Sequence, residues 1–216
     1  MPIVQRITKI RQLLDGEDIA ATALAQDISE KSRSSVPIPP PVNCQRCQSA
    51  ARVRSFPVPF QVAICGPRDC TEEDAANAYR IGELLAEQGA VVICGGGRGV
   101  MAAVAAGVRA KDGMVIGVRP NDSREGASPD LSAVIVTNMG EARNAIIIWS
   151  ADAVIVVGGS WGTLSELALA RRRGGVPVIS LGGWQVLDRD GKPVEGIEQV
   201  GSAEEAVGAA LRAQRC

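Results

Sequence analysis

Six short aliphatic runs, each four or five residues long, recur between Phe60 and Leu181, with longer mixed segments between them. Runs of Val and Ile without polar alternation are typical of strands covered on both faces, because a strand with one solvated face alternates. The intervening segments are long enough for the crossover helices that parallel strands require. We therefore predict an α/β fold with an open, mainly parallel six-stranded sheet and helices on both faces. The predicted strands are Val62–Cys65, Ala90–Cys94, Met114–Val118, Val134–Thr137, Ala153–Val157 and Val178–Leu181.

Residues 1–57 differ in kind from this pattern. Apolar residues recur there at helical spacing with basic residues between them, which predicts an amphipathic helix. Its apolar stripe consists of Ile3, Ile7, Ile10 and Leu14. The proline-rich residues 34–41 exclude both helix and central strand, so they predict a linker. We expect an N-terminal helical extension over 1–57 and an α/β domain over 58–216.

The composition excludes several classes of function. The formal net charge is −1, so no summed positive field would hold nucleic acid or an anionic membrane surface. No apolar run approaches the roughly 20 residues that span a bilayer, and no secretory leader pattern is present, so we expect a cytoplasmic protein. The sequence has no histidine, which rules out a Ser-His-Asp triad and an imidazole base.

The six cysteines predict neither disulfides nor a metal site. Cys65 and Cys94 end predicted strands, where a free thiol behaves as a small hydrophobe, as expected in a reducing compartment. Cys44 and Cys47 have the spacing of a zinc knuckle, but the chain offers no second such pair and no histidine. We interpret them as an inert pair, with redox exchange as the alternative.

A glycine-rich loop follows the second predicted strand and leads into an alanine-rich helix. It consists of Gly95, Gly96, Gly97, Arg98 and Gly99. Missing side chains let an anion approach the backbone, and the helix start supplies unpaired N–H groups and the positive end of its dipole. The loop therefore predicts phosphate binding, with a simple tight turn as the alternative. An NAD site is disfavoured because the next strand ends at Arg119 and Pro120, without an acidic residue for the ribose.

A second loop follows the fifth predicted strand and leads into another helix. It contains Gly159, Ser160, Trp161, Gly162 and Thr163. Ligands of open parallel sheets lie beyond the carboxyl ends of the strands, so both loops are expected to face one crevice. Trp161 is expected either to stack on a base or to pack against a neighbouring subunit. Glu166 either points into the crevice or completes a capping box with Thr163. Gly66 and Arg68, after the first strand, are further candidate ligand contacts.

Three segments of the chain resemble the LOG-like superfamily, often labelled "possible lysine decarboxylase", which includes cytokinin riboside 5′-monophosphate phosphoribohydrolases. These segments are residues 95–101, 141–144 and 159–166. The resemblance runs from about residue 62 to 181 and implies a Rossmann-like fold. It places Arg143 and Glu166 at the positions of the family's catalytic arginine and glutamate. It implies a phosphoribohydrolase and not a lysine decarboxylase.

A hydrolase of this kind cuts the N-glycosidic bond of a nucleoside 5′-monophosphate or a modified analogue. Such a bond breaks through an oxocarbenium-like sugar, which a carboxylate beside the anomeric carbon stabilises while it orients water. Glu166 would take this role, and Arg143 would hold phosphate or sugar hydroxyls. No second acid is a clear candidate to protonate the leaving base, since capping or packing explains Asp152 equally well.

The sequence also departs from the hydrolase pattern. Asn144 stands where the hydrolases have a lysine, and Gly158 and Ser160 replace the motif's proline and second glycine. In these details the chain is more similar to the molybdenum-cofactor carrier branch of the superfamily. The alternative function is therefore a non-catalytic carrier of a phosphorylated pterin or a nucleotide, with Asn144 as a candidate ligand contact. The resemblance implies that no cofactor is required. It also implies that the protein binds a nucleotide or a molybdopterin-type ligand and forms a homodimer or homotetramer.

Overall fold

The computed structural model describes residues 58–212. The predicted amphipathic helix, the proline-rich linker and the Cys44–Cys47 pair lie outside these residues and stay predictions, as does the domain boundary near residue 57. A 3₁₀ turn spans Gly140–Arg143. The helices and strands of the described residues are given below in chain order. They are β1 Gln61–Cys65, α1 Glu72–Glu87, β2 Val91–Cys94, α2 Val100–Ala110, β3 Met114–Arg119, β4 Ala133–Val136, α3 Asn144–Trp149, β5 Ala153–Val157, α4 Trp161–Arg173, β6 Val178–Leu181, β7 Glu198–Val200 and α5 Ala203–Leu211.

The strands form one sheet in the order β4-β3-β2-β1-β5-β6-β7, and every neighbouring pair is parallel. The α/β class and all six predicted strands are confirmed, but the predicted strand number is wrong, because β7 makes the sheet seven-stranded. This strand is three residues long, lies at the sheet edge and is partly exposed along its length. It therefore lacks the continuous apolar run by which a buried strand is recognised.

Helices cover both faces of the sheet, as predicted. Alternate residues of β1 point to opposite sides, with Val62 and Ile64 in one apolar cluster and Ala63 and Cys65 in the other. Helices α1, α2 and α5 pack on the first face, and helices α3 and α4 on the second. Both faces of the central strands are therefore dry, which explains their uninterrupted Val/Ile composition. No helix within residues 58–212 is long and apolar enough to cross a membrane.

The ends of α1 and α4 match the local sequence signals. Thr71 caps α1, since the backbone N–H of Asp74 donates to Thr71 Oγ1 at 3.0 Å and Asp74 Oδ2 accepts from the N–H of Thr71 at 3.2 Å. Gly89 follows the helix with a φ of 71°, a conformation that favours glycine. Three arginines close α4 before Gly174, where cations suit the negative end of the helix dipole.

Helices α1 and α2 approach each other closely through two glycines. A Cβ added at Gly82 would lie 2.5 Å from the carbonyl oxygen of Val104, and one added at Gly107 would overlap the carbonyl of Tyr79. Only a residue without a side chain allows backbone contact at this distance. This close approach packs α2, the helix that follows the first glycine loop, directly against α1.

Candidate functional site

The carboxyl ends of β1 and β5 meet where the chain reverses its direction of travel across the sheet. From β1 the chain proceeds outward through β2, β3 and β4, and it then returns to place β5 on the other side of β1. The connections that leave β1 and β5 therefore diverge and open a crevice between them, which is the usual ligand position in an open parallel sheet.

A cleft of about 130 Å³ lies at this point. Four connections line it, after β1, at the start of α2, around the 3₁₀ turn and at the start of α4. The lining residues are Gly66, Arg68, Met101, Glu141, Arg143, Asn144, Ser160, Gly162, Thr163 and Glu166. The cleft brings together eight of the residues predicted from the sequence, and Arg143 and Glu166 are among them.

Arg143 and Glu166 form an ion pair in this cleft. Arg143 Nη1 lies 3.6 Å from Glu166 Oε1, and the two side chains are 9% and 10% exposed. Arg143 ends the 3₁₀ turn and Glu166 lies one turn into α4, so the two rigid elements set the distance between them. Arg143 Nε and Nη1 are buried and have no hydrogen-bond partner among residues 58–212. Donors in this state are available to an anionic or hydroxyl-bearing ligand.

The position of Arg143 depends on Gly95. A Cβ at residue 95 would lie 2.9 Å from both Nη1 and Nη2 of Arg143, and 2.7 Å from Met101 Sδ. Gly95 therefore leaves the space in which the guanidinium lies, and this is a packing role.

Glu166 titrates near neutral pH. Burial raises its pKa to about 7, while the charge of Arg143 and the thiol of Cys65 lower it and the charge of Glu141 raises it further. Both protonation states of this carboxyl are therefore populated at physiological pH, which suits a group that takes or gives a proton. No other buried carboxylate lines the cleft, as Glu141 lies at its exposed rim.

Ser160 starts α4 and caps it. Ser160 Oγ accepts a hydrogen bond from the N–H of Thr163 at 3.2 Å and lies 2.8 Å from Thr163 Oγ1. The suggested capping box between Thr163 and Glu166 is thus wrong, because Thr163 lies inside the first turn. Gly162 is exposed beside this cap. The helix start, with its free amides and positive dipole end, faces the cleft and can bind an anion.

The first glycine loop lies beneath the cleft and does not line it. Gly95, Gly96 and Gly97 are buried, and the N–H of Val100 at the start of α2 donates to the carbonyl of Pro67. Gly99 packs against the backbone of Arg68, while the exposed Arg98 pairs with Asp69 at 2.9 Å. Phosphate binding by this loop stays a prediction. The contacts described here hold the loop after β1 and Arg143 in place.

The further candidate contacts Gly66, Arg68 and Asn144 line the cleft. Asn144 Nδ2 donates to Glu141 Oε2 at 3.3 Å, and Asn144 Oδ1 is buried without a partner. Sequence reasoning missed Met101 and Glu141 as site residues. Both stand beside residues that it did select, in the segments 95–101 and 141–144, so their proximity to the motifs was the available signal.

Two tryptophans lie on the far side of the α4 start. Trp161 is 79% exposed, and its ring meets that of Trp184 edge to face at 5.0 Å between centroids. Gly159 makes room for the Trp184 ring. Trp161 does not line the cleft, so base stacking by this residue stays a prediction. Trp184 was not predicted, because it follows β6 without a motif around it.

The cysteines nearest the cleft are buried thiols. Burial raises the pKa of Cys65 well above its usual range, and the charge of Glu166 adds to the effect. Burial also raises the pKa of Cys94 to about 11. Neither thiol forms a thiolate readily, so neither is a nucleophile at neutral pH. Residues 58–212 hold no cluster of three or more Cys, Asp or Glu side chains that would bind a metal ion.

Asp152 has a structural role. Its Oδ2 accepts a hydrogen bond from the N–H of Gln61 at 2.9 Å and so joins the starts of β5 and β1. This end of the sheet is opposite the cleft, and the packing interpretation of Asp152 is confirmed.

The fold and the cleft define a Rossmann-like α/β protein with a candidate ligand site at the switch point of its sheet. The model of the SLOG cluster4 family matches residues 59–207, and the chain belongs to this family. The chain is 45% identical over 116 residues to a protein of Archaeoglobus fulgidus described as uncharacterized. These residues are 53% of this chain and 76% of that protein.

Two further relatives are named for a substrate or a cofactor. A cytokinin riboside 5′-monophosphate phosphoribohydrolase of Mycobacterium tuberculosis is 39% identical over 93 residues, which are 42% of this chain and half of that enzyme. The molybdenum cofactor binding protein of Rippkaea orientalis is similar in structure, with a TM-score of 0.63 and 32% identity over 69% of this chain and 94% of that one. The resemblance to the LOG-like superfamily, with molybdenum-cofactor carriers among its relatives, is confirmed.

Proposed function

We propose that the chain binds a nucleoside 5′-monophosphate or a modified analogue in this cleft and hydrolyses its N-glycosidic bond. The observation that carries the proposal is the buried Arg143–Glu166 pair, in which the carboxyl has a pKa of about 7. Such a pair beside a helix start offers both an anion site and a proton-transfer group within one cleft.

The phosphate of the ligand binds at the start of α4. The first-turn amides around Gly162 and the hydroxyl of Ser160 surround this position, and α4 is 13 residues long, so its dipole is fully developed. Arg68, exposed at the rim, adds a positive charge. The unpartnered Nε and Nη1 of Arg143 then donate to the ribose hydroxyls or to a phosphate oxygen.

Glu166 acts on the anomeric carbon. In its ionised form it accepts a proton from water, whose oxygen bonds to C1′ while the bond from C1′ to the base nitrogen breaks. The bond's electron pair leaves with the base, and the carboxylate stabilises the positive charge that develops on the sugar. Glu141, whose carboxylate lies at the rim of the same cleft, is the candidate that supplies a proton to the departing base.

The test is the release of free base, followed by chromatography, from a panel of nucleoside 5′-monophosphates and cytokinin-type analogues. Wild type is compared with Glu166→Gln and with Glu195→Gln, an exposed acid far from the motifs. We expect release by wild type and by Glu195→Gln, and a loss of about 100-fold or more in Glu166→Gln. Equal release by all three proteins would exclude Glu166 from the reaction.

A carrier function is the second candidate, and two observations favour it. Asn144, in place of the hydrolases' lysine, presents a buried Oδ1 without a partner, and the similarity to a molybdenum cofactor binding protein extends over nearly all of that protein. In this case the same cleft holds a phosphorylated pterin or a nucleotide as cargo, without turnover. The purified chain would then carry a bound chromophore or molybdenum and release no base. The homodimer or homotetramer and the cytoplasmic location stay predictions.

A further inference from the structure

Arg119 is a buried guanidinium that the proposed reaction does not use. It ends β3 and is 6% exposed. Its Nη2 donates to the carbonyl oxygen of Glu125 at 2.9 Å, and its Nε is buried without a hydrogen-bond partner. Within residues 58–212, no carboxylate lies within ion-pair distance of it. A buried charge without a counter-charge is costly, so its presence calls for an explanation.

Arg119 lies against the glycine loop in the same way as Arg143 does. A Cβ at Gly97 would lie 3.3 Å from Arg119 Nη1, just as one at Gly95 would touch the guanidinium of Arg143. The thioether of Met101, which lines the cleft, is near both positions, with Cε 3.2 Å from the Gly97 site and Sδ 2.7 Å from the Gly95 site. Both guanidiniums thus lie near Met101. Arg143 pairs with Glu166 of α4, whereas Arg119 ends β3, which β2 and β1 separate from β5, the strand that leads into α4.

The charges around Arg119 are mainly positive. Burial lowers its pKa, and the charges of Arg68 and Arg143 lower it further. Glu166, the buried carboxyl of the cleft, offsets these three arginines incompletely, because it is only partly ionised at neutral pH. An anionic group beside Arg119 would offset the repulsion and satisfy Nε.

We infer that Arg119 forms a second oxyanion subsite, near Met101, for an acidic group at the end of the ligand opposite its phosphate. The inference rests on the proposed phosphate site at the start of α4. The ligand class is a nucleotide, or a molecule of similar size, that has a 5′-phosphate at one end and a carboxylate or other oxyanion on its base or ring.

The alternative role of Arg119 is structural. Its bond to the carbonyl of Glu125 ties the exposed connection after β3 to the sheet, and Ser128 donates its N–H to the carbonyl of Gly96 in the same region. A purely structural arginine would affect the unfolding temperature and would not distinguish between ligands.

The test compares AMP with N6-(dicarboxyethyl)-AMP, which adds two carboxylates at the base end. Binding is measured by calorimetry with the full chain carrying Glu166→Gln, so that neither ligand is consumed. We expect the dicarboxylate ligand to bind about 10-fold or more tightly than AMP. Adding Arg119→Met should remove this difference and keep the affinity for AMP. Arg109→Gln, an exposed arginine at the end of α2, is the control and should change neither.

Three outcomes overturn the inference. If AMP binds and the dicarboxylate ligand gains nothing, the second subsite does not exist, and this comparison needs no change at Arg119. If Arg119→Met weakens the binding of both ligands equally, or changes the binding of neither, Arg119 is structural. Should the methionine variant not fold, the same comparison is made with Arg119→Lys, which keeps a donor for the carbonyl of Glu125. If neither ligand binds, the proposed phosphate site itself is wrong.

Discussion

Arg143 Nη1 and Glu166 Oε1 are 3.6 Å apart, within ion-pair distance but too far for a good hydrogen bond. The pair leaves donors of Arg143 unused, and burial holds Glu166 at a pKa of about 7. The two side chains are therefore incompletely satisfied by each other. This arrangement has a cost in stability and leaves both groups able to bind a ligand.

The stability of the protein should depend on the ionisation of Glu166. The folded-state pKa is raised from 4.5 to about 7, so the unfolded chain releases this proton first, and the contribution of Glu166 to stability is lost as pH rises through this range. Glu166→Gln should therefore gain stability relative to wild type as the pH rises. The difference in free energy of unfolding between the two proteins should be about 2 to 3 kcal/mol larger at pH 8 than at pH 4, in favour of Glu166→Gln. Urea unfolding at both pH values measures this difference. Glu195→Gln should follow wild type, and a constant difference for Glu166→Gln would argue against a raised pKa.

The reaction rate should rise with pH. If the carboxylate of Glu166 takes the proton from water, kcat/KM should increase about tenfold per pH unit below its pKa and level off above about 7. A pH–rate profile between pH 5 and 9 with a nucleoside 5′-monophosphate measures this. A profile that falls over the same range would instead make Glu166 the proton donor.

Gly95→Ala and Gly162→Ala should separate positioning from ligand contact. The Cβ at residue 95 would displace Arg143 and Met101, so we expect Gly95→Ala to lose about 100-fold in activity and about 1 to 3 kcal/mol in stability. The Cβ at residue 162 has open space, with Ser160 Oγ the nearest atom at 3.8 Å. Gly162→Ala should therefore leave the unfolding midpoint unchanged or slightly higher and raise KM, since its methyl group would lie at the proposed phosphate position. Thermal melts and KM values would contradict this if the two variants behaved alike.

Gly107→Ala should destabilise the contact between α1 and α2. Its Cβ would overlap the carbonyl group of Tyr79, whose carbon would be 2.8 Å away, and backbone atoms cannot move aside locally. We expect a loss of about 1 to 3 kcal/mol. Gly208→Ala in α5 is the matched control, because nothing lies within 4 Å of its Cβ, and it should gain about 0.5 to 1 kcal/mol from helix propensity. Denaturant unfolding of both variants checks the pair, and equal effects would contradict the close approach.

The buried strands could be predicted from the sequence because a strand buried on both faces consists of a continuous aliphatic run. The strand Ala153–Val157 is buried along its whole length and was predicted with its observed bounds. Strand Glu198–Val200, at the sheet edge and partly exposed, has no such aliphatic run. The cap of α1 is marked in the sequence by Thr71, which acids follow at once. The cap of α4 at Ser160 could not be recognised, because Thr163 and Glu166 present an equally good local pattern.

The site was predictable only where motifs mark it. Arg143 and Glu166 were identified by resemblance, and the fold brings them together from elements 23 residues apart in sequence. The packing of Gly95 against the guanidinium of Arg143 could not be inferred, because a glycine at this position also suits a loop around a phosphate. Arg119 gave no sequence signal, since its importance comes from burial without a counter-charge, which only the tertiary structure reveals.

In both proposed functions, cleavage and carriage, the cleft holds its ligand by a phosphate. The most direct measurement is a calorimetric titration of the Glu166→Gln protein with AMP and with adenosine. We expect AMP to bind at least about 100-fold more tightly, because only AMP has a phosphate to place at the start of α4. Equal affinities for AMP and adenosine would contradict it.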